Sequence, residues 1–194
     1  MAASTPPRPE SEEVRDPLSA AARQIARFDN AVDQWWEALR GRKLVDRVMY
    51  GASDVGEFSQ LWHVLGALRA LSPRREVSDA FRFSALMALE SLIVNQGIKR
   101  LFARRRPGTA AENPTQHRLR QPISSSFPSG HASAAFCAAA VLSRGSRLGP
   151  LYRLAAAIVA TSRIHVRLHH ASDVIAGAAV GEIIGRVAAR LMRR

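Results

Sequence analysis

Apolar residues recur along this chain at helical spacing and predict an all-α fold. Between residues 25 and 39 the apolar positions repeat every three to four residues, which indicates an amphipathic helix. Further helical segments are expected at 44–53, 58–71, 79–102, 132–142, 151–163 and 171–190. We therefore expect a bundle of about six core helices. No alternating pattern typical of a β-hairpin is found.

The pattern also divides the chain. Residues 1–20 are rich in Pro, Glu and Arg, lack the apolar stretch of a signal peptide and are expected to be a disordered tail. Residues 21–43 are expected to form the amphipathic helix, in which Trp35 and Trp36 could either anchor a membrane interface or close a core. Residues 44–194 are expected to form the main domain. Within it, residues 104–128 are proline-containing and aperiodic, which predicts a long functional loop between core helices three and four.

Hydropathy alone leaves two architectures open. No stretch reaches about 18 consecutive apolar residues, and the mean hydropathy of −0.09 favours a soluble helical bundle. Against this, the segments 83–98, 133–143, 154–162 and 174–185 each carry at most one charge. Such segments are also compatible with a compact polytopic membrane protein built from short, alanine-rich helices.

The charge indicates an anionic partner. The formal net charge is +12, from 28 basic and 16 acidic residues, and all but two of the basic residues are arginine. Nucleic acid, an anionic membrane and a phosphorylated substrate all satisfy this charge. The single cysteine, Cys137, excludes an internal disulfide and a CxxC metal site.

Three clusters carry candidate chemistry. In "PSGH", residues 128–131, a Ser-Gly pair at a helix start would offer backbone N–H groups to an anion. In "KRLFARRRP", residues 99–107, Lys99 and Arg106 add positive charge. In "SRIHVRLHHASD", residues 162–173, His169 and Asp173 are four apart and are expected to face each other on one helix turn. The carboxylate would orient the imidazole and leave its other nitrogen free to act as a nucleophile or a metal ligand.

A metal site is the weaker of these two interpretations. His165, His169 and Asp173 follow a four-residue spacing that could form a ligand stripe on one helix face. Because arginines crowd the same segment, positive charge disfavours a bound cation there. We therefore expect no metal at this site.

Together the three clusters resemble the motifs of the type 2 phosphatidic acid phosphatase superfamily, which contains lipid phosphate phosphatases, bacterial acid phosphatases and vanadium haloperoxidases. The pattern K-x6-RP, PSGH, SR-x5-H-x3-D is complete and in order, and its positions are Lys99, Arg106, Pro107, Pro128, Ser129, Gly130, His131, Ser162, Arg163, His169 and Asp173. PSGH alone is a weak match, whereas the three motifs at these spacings are specific. The tail is outside the resemblance.

The resemblance implies a role for each motif residue and no cofactor. His169 would attack phosphorus and form a phosphohistidine, which Asp173 would stabilise. His131 would protonate the leaving oxygen and then activate water. The phosphoryl group would be bound by Lys99, Arg106, Ser129, Gly130 and Arg163.

The resemblance also implies a location and a substrate class. Membrane members of the superfamily have six spans with the motifs on loops after spans three, four and five, and the predicted helices fit that order. We therefore expect a multi-pass cell-membrane protein with an extracytoplasmic site, because arginines cluster in the other connecting loops, near residues 69–82 and 144–153. The expected substrate is a lipid phosphate: phosphatidic acid, a polyprenyl pyrophosphate or a polyprenyl-linked sugar phosphate.

Two other classes remain as alternatives. One is a soluble acid phosphatase or vanadate-dependent haloperoxidase of the same superfamily. The other is a basic protein that binds nucleic acid or anionic lipid without catalysis. Attraction to phosphate does not require a His169–Asp173 pair, so we expect no nucleic-acid partner.

Overall fold

The computed structural model describes residues 17–71, 77–108 and 124–192, and this part of the chain is all-α, as predicted. It contains seven α-helices, which are α1 (Pro17–Glu37), α2 (Lys43–Val55), α3 (Gln60–Ala70), α4 (Val77–Leu92), α5 (Gly130–Leu142), α6 (Gly149–His165) and α7 (Ala171–Leu191). The first is the amphipathic helix and the other six form the bundle. Helix α1 begins at Pro17 rather than at residue 21, and residues 1–16 of the expected tail lie outside the described residues.

The predicted helix 79–102 does not continue as one regular helix. After Leu92 the backbone widens into a π-helical turn, Ile93–Gly97, and then tightens into a 3₁₀ turn, Ile98–Leu101. Breaks of this kind are frequent at functional sites because they re-aim side chains. Here the tight turn carries Lys99, whose side chain is buried.

Helix α5 occupies the centre of the bundle. Its residues from Ala132 to Leu142 are mostly alanine and are nearly all buried, against α7 on one side and against α4 and α6 on the others. A helix that is apolar all round is expected to be enclosed by other helices. The start of α5 is therefore surrounded by the ends of the neighbouring helices.

Helices α5 and α7 touch through their backbones. The contact on α7 is made by three glycines at four-residue spacing, Gly177, Gly181 and Gly185. Side-chain Cβ atoms there would fall 2.3 Å from the Ser129 carbonyl oxygen, 1.9 Å from that of Ser133 and 2.6 Å from that of Cys137. Any larger residue would separate the two helices, so this contact fixes the start of α5 against the start of α7.

The two adjacent tryptophans of α1 have different surroundings. Trp36 is partly buried, and its indole N–H donates to Nδ1 of His165 at 3.1 Å. Trp35 is 65% exposed. One tryptophan therefore closes the core, and the other points away from it.

No helix of the described residues combines the length and apolar character of a membrane span. The bundle does, however, expose large apolar side chains while it buries alanine, glycine and serine. Examples more than half exposed are Leu68, Phe81, Leu89, Leu154 and Ile183.

Candidate active site

The predicted site residues converge at one end of the bundle, where α5 and α7 begin and where α6 and the 3₁₀ turn end. They are Lys99, Arg106, Ser129, Gly130, His131, Arg163, His169 and Asp173. Five of them are buried, including the charged Lys99, Arg163 and Asp173, and the other three, Arg106 among them, are partly buried. Buried charges are costly unless they are paired with opposite charge, so a concentration of this kind requires a chemical reason.

The start of α5 takes the form that the PSGH motif predicts. Ser129 is the N-cap residue, and its hydroxyl oxygen accepts from the Ala132 N–H at 3.4 Å. The hydroxyl hydrogen is left for another acceptor. Gly130 opens the helix with no side chain, and a Cβ there would come within 3.5 Å of the Lys99 amine. The helix start and the ammonium group are therefore adjacent, as an anion site requires.

His169 and Asp173 are brought together by a helix cap, not by a helix turn as the spacing predicted. Helix α6 ends at His165, and Arg167 adopts a left-handed conformation (φ 53°) that interrupts the helix. Helix α7 begins at Ala171, so His169 precedes it. Asp173 lies in its first turn and caps it by accepting from the His170 N–H at 2.9 Å. A carboxylate is favoured at that helix end by the exposed N–H groups.

The interrupted helix also removes the candidate metal stripe. His165 points away from His169 and pairs with Asp46 of α2, with 2.9 Å between its Nε2 and the carboxylate oxygen. The three residues of the stripe therefore do not share one face. His165 instead ties α6 to α1 and α2.

The contacts of His169 define its tautomer. A guanidinium can only donate, so the 3.0 Å contact between Arg106 Nη1 and His169 Nε2 makes Nε2 an acceptor. The ring proton of the neutral imidazole then lies on Nδ1, which faces the Asp173 carboxylate at 3.7 Å. That separation is longer than a hydrogen bond, so the two groups face each other without a hydrogen bond between them. Nε2 is the nitrogen with a lone pair available for attack.

The environment also keeps His169 neutral. The pKa of His169 is lowered to about 3, mainly by burial and further by the charges of Arg106 and Arg163, against the opposing effect of Asp173. At neutral pH the imidazole therefore carries no proton on Nε2. A nucleophilic histidine requires this state.

His131, the second residue of α5, lies across the site from this pair. Its Nε2 has no hydrogen-bond partner among the described residues and lies 3.9 Å from a Glu57 carboxylate oxygen. Burial, followed by the charge of Arg163, lowers the pKa of His131 well below its usual value. A bound dianion would offset those positive charges and raise the proton affinity of His131.

Several buried donors of the two arginines have no acceptor within the described residues. They are Nε of Arg106 and both Nε and Nη2 of Arg163, whose Nη1 donates to the Ser53 hydroxyl. Buried donors are almost always paired in proteins. Guanidinium N–H groups in a fixed fork match the oxygens of a phosphoryl group, so this arrangement is suited to binding a phosphate.

Three further residues of the site were not predicted from the sequence. Arg104 donates to an Asp173 oxygen at 2.6 Å and to an Asp29 oxygen at 2.5 Å, and Glu57 lies beside His131. Arg104 is one of several arginines in the first cluster, where spacing alone did not distinguish it. Asp29 and Glu57 are far from every motif, and nothing local in the sequence indicates their contacts.

The comparison with known families agrees with this geometry. The model of the PAP2 superfamily matches residues 79–194, a range that contains all three motifs. The chain belongs to the PAP2 superfamily. Helices α1 to α3 lie before the matched range.

PAP2 relatives with related sequences include phosphatases of two kinds of lipid. Decaprenylphosphoryl-5-phosphoribose phosphatase of Mycobacterium tuberculosis is 33% identical over 138 residues, which cover 71% of this chain and 75% of the relative. Lipid A 1-phosphatase of Porphyromonas gingivalis is 42% identical over 117 residues, which cover 57% of this chain but only 22% of that protein.

A solved PAP2 structure shares the fold. The transmembrane PAP2-type phosphatidylglycerolphosphate phosphatase of Bacillus subtilis superimposes with a TM-score of 0.65 at 20% identity, over 93% of this chain and 89% of that one. At this identity the likeness concerns the arrangement of helices. The two chains agree in fold over nearly their whole length.

Proposed function

We propose that this protein is a membrane-embedded lipid phosphatase that hydrolyses a terminal phosphate through a phosphohistidine at His169. The observation that carries the proposal is the contact of His169 Nε2 with the Arg106 guanidinium, beside Arg163 donors that have no acceptor among the described residues. A nucleophile next to a phosphate-binding fork is the minimum that phosphoryl transfer requires.

In the first step the substrate phosphate displaces the Arg106–His169 contact. Guanidinium and ammonium groups bind the non-bridging oxygens, and His169 Nε2 forms a bond to phosphorus as the bond to the lipid oxygen breaks. His131 gives its proton to that oxygen, and the lipid alcohol leaves. The positive charge that develops on the His169 ring is stabilised by Asp173.

In the second step water replaces the histidine. The neutral His131 accepts a proton from a water molecule, whose oxygen forms a bond to phosphorus while the phosphorus–nitrogen bond breaks. Inorganic phosphate leaves, His169 is again neutral, and His131 is again protonated. The cycle consumes one water and returns every residue to its starting state.

The donor set favours a reaction without a metal ion. Arg106, Arg163 and Lys99 provide positive charge where a metal would otherwise neutralise the phosphate, and the Asp173 carboxylate is already paired with Arg104. We therefore expect full activity in excess EDTA, measured as phosphate release. Loss of activity in EDTA with recovery on adding magnesium would rule this mechanism out.

The surface supports membrane embedding. Helices α3, α4, α6 and α7 direct leucine, isoleucine, valine and phenylalanine outwards, and α1 exposes Ile25, Phe28 and Trp35. Acyl chains would cover these groups, with α1 at the interface. After cell lysis the protein should remain in the membrane through carbonate and high-salt washes. Release by salt alone would mean that its net charge of +12 held it to lipid headgroups.

We further propose that the site faces the extracytoplasmic side. Arginines 69, 144 and 147 lie at the opposite end of the bundle, where α3 and α5 end and α6 begins. Positive charge at that end is typical of a cytoplasmic face. Ser124→Cys, near the site, should react with an impermeant thiol reagent on intact cells, whereas Leu148→Cys should not. The native Cys137 is buried and provides an unreactive background.

The substrate we propose first is a polyprenyl-linked sugar phosphate. The reason is the mycobacterial relative, which acts on a decaprenyl-linked phosphoribose and aligns over 75% of its length. The test is phosphate release by detergent-purified protein across a panel that also holds phosphatidic acid and a polyprenyl pyrophosphate. His169→Ala is the negative control, and equal rates of wild type and control on every substrate would contradict the proposed function.

A further inference from the structure

A buried polar network joins the first helix to the start of α7. Asp29, in the middle of α1, is only 4% exposed. Its two carboxylate oxygens accept from the Ser172 N–H and the Ser172 hydroxyl, each at 2.8 Å. Burying the charged carboxylate of an aspartate costs free energy unless hydrogen bonds and an opposite charge compensate for it.

Arg104 extends this network to the catalytic carboxylate. Its Nη2 donates to Asp29 at 2.5 Å, and its Nη1 donates to Asp173 at 2.6 Å and to the Ser172 hydroxyl at 2.7 Å. The other oxygen of Asp173 is the one that faces His169. The chain of contacts therefore runs from Asp29 through Arg104 and Asp173 to His169.

The charges in this chain have a consequence for the reaction. Arg104 paired with Asp173 alone would cancel the negative charge that His169 needs when its ring becomes positive. With Asp29 present, one guanidinium is shared by two carboxylates, and the group retains one net negative charge beside the imidazole. Asp29 also fixes the plane of the Arg104 guanidinium, because Arg104 then donates from both of its terminal nitrogens, one to Asp173 and one to Asp29.

We propose that Asp29 is a positioning residue of the reaction, acting through Arg104 on Asp173, so that α1 is part of the active-site machinery. The inference rests on the proposed function, since it concerns the proposed His169 nucleophile. It goes beyond the family motifs, because Asp29 lies before the range that the PAP2 model matches and Arg104 is not a motif position.

The first test compares two asparagine substitutions on the same helix. Asp29→Asn keeps an oxygen for Ser172 but removes the charge. The matched control is Asp33→Asn, one turn later, which breaks an ion pair with Arg40 outside the network. We expect Asp29→Asn to lower kcat about 10- to 100-fold with KM changed less than about threefold, and Asp33→Asn to change kcat by less than about twofold.

The measurement is steady-state kinetics, with the unfolding temperature of each variant in detergent as a second readout. A loss of fold would lower the active fraction together with the unfolding temperature, whereas a positioning role lowers kcat in protein that unfolds as the wild type does. If Asp29→Asn matches Asp33→Asn, or raises KM with kcat unchanged, the positioning role is overturned.

A second pair of variants decides the matter if Asp29→Asn does not fold. Arg104→Gln is compared with Arg105→Gln, the same change at the neighbouring exposed position. We expect only Arg104→Gln to lower kcat. In the double variant of Asp29 and Arg104 the losses should not multiply, because both act through one contact.

Multiplied losses in the double variant would overturn the proposal, as would equal activity of the two glutamine variants. The proposed function fails separately. A wild type that releases no phosphate overturns the function and the positioning role together. An active wild type with Asp29→Asn indistinguishable from Asp33→Asn overturns only the positioning role.

Discussion

The two histidines of the site are held in opposite ways. His169 contacts Arg106 through one ring nitrogen and faces Asp173 with the other. Among the described residues, His131 Nε2 has no hydrogen-bond partner, and a Glu57 carboxylate oxygen lies 3.9 Å from it, beyond hydrogen-bond distance. In the proposed reaction the nucleophile His169 is therefore aligned before the substrate arrives. His131, the acid, gains a hydrogen-bond partner only when the leaving oxygen of the substrate is in place. Substitutions on the His169 side and on the His131 side should therefore impair the reaction differently.

The largest effect is expected on the nucleophile side. His169→Ala removes the atom that attacks phosphorus, so turnover should fall about 10⁴- to 10⁶-fold. No phosphoenzyme should form, measured as acid-labile, base-stable phosphate on protein quenched during turnover. Phosphate retained on the variant would show that another residue is the nucleophile.

His131→Ala should give a smaller loss that depends on the substrate. Removing a general acid costs about 10²- to 10⁴-fold for a poor leaving group such as a lipid alcohol. A nitrophenyl phosphate hardly needs the proton, so the first step should be retained and phosphohistidine should accumulate, because water is no longer activated. Equal losses on both substrates, without trapped phosphoenzyme, would mean that His131 does not act as the acid and base.

Glu57→Gln tests how much the Glu57 carboxylate contributes to the function of His131 as the acid. A partly exposed carboxylate at this distance should contribute little, so kcat on the lipid should fall only about two- to fivefold. The carboxylate favours the protonated His131, so its removal should lower the pKa of His131. The alkaline limb of the rate profile should then move to lower pH. A profile that does not move would show that Glu57 does not influence His131.

The smallest effect is expected for His170→Ala, next to the nucleophile. His170 is the N-cap residue of α7, so its replacement should affect stability by about 1 kcal/mol. The N–H that Asp173 accepts belongs to the backbone and remains. Activity should change less than about twofold. An inactive His170→Ala beside an active His169→Ala would exchange the roles assigned to the two neighbours.

The helices could be located from the sequence because they depend on local pattern, and the motif residues could be grouped because the three motifs resemble those of a known family. Prediction from the sequence failed where the structure depends on distant contacts. The spacing of His169 and Asp173 suits a helix turn, but the left-handed Arg167 places the pair around a helix cap instead. The links of Asp29 to Ser172 and Arg104 join segments that no periodicity relates.

Hydropathy gave no decision on membrane embedding for a physical reason. The helices bury alanine, glycine and serine together with the charged site, and they expose leucine and phenylalanine. An average along the sequence mixes these two faces and falls near zero. Only the placement of each side chain in three dimensions separates the exposed leucine and phenylalanine from the buried small and charged residues.

The backbone contact between α5 and α7 has a consequence for engineering this scaffold. Gly177 and Gly181 lock the two helices whose first turns carry His131 and Asp173, so the spacing of the reacting groups is set within this pair. The outward faces of α3, α4 and α6 are free of that constraint. A library that varies those faces could change which lipid chain of the proposed substrate the protein accepts. The glycine positions would be left out of the randomised set.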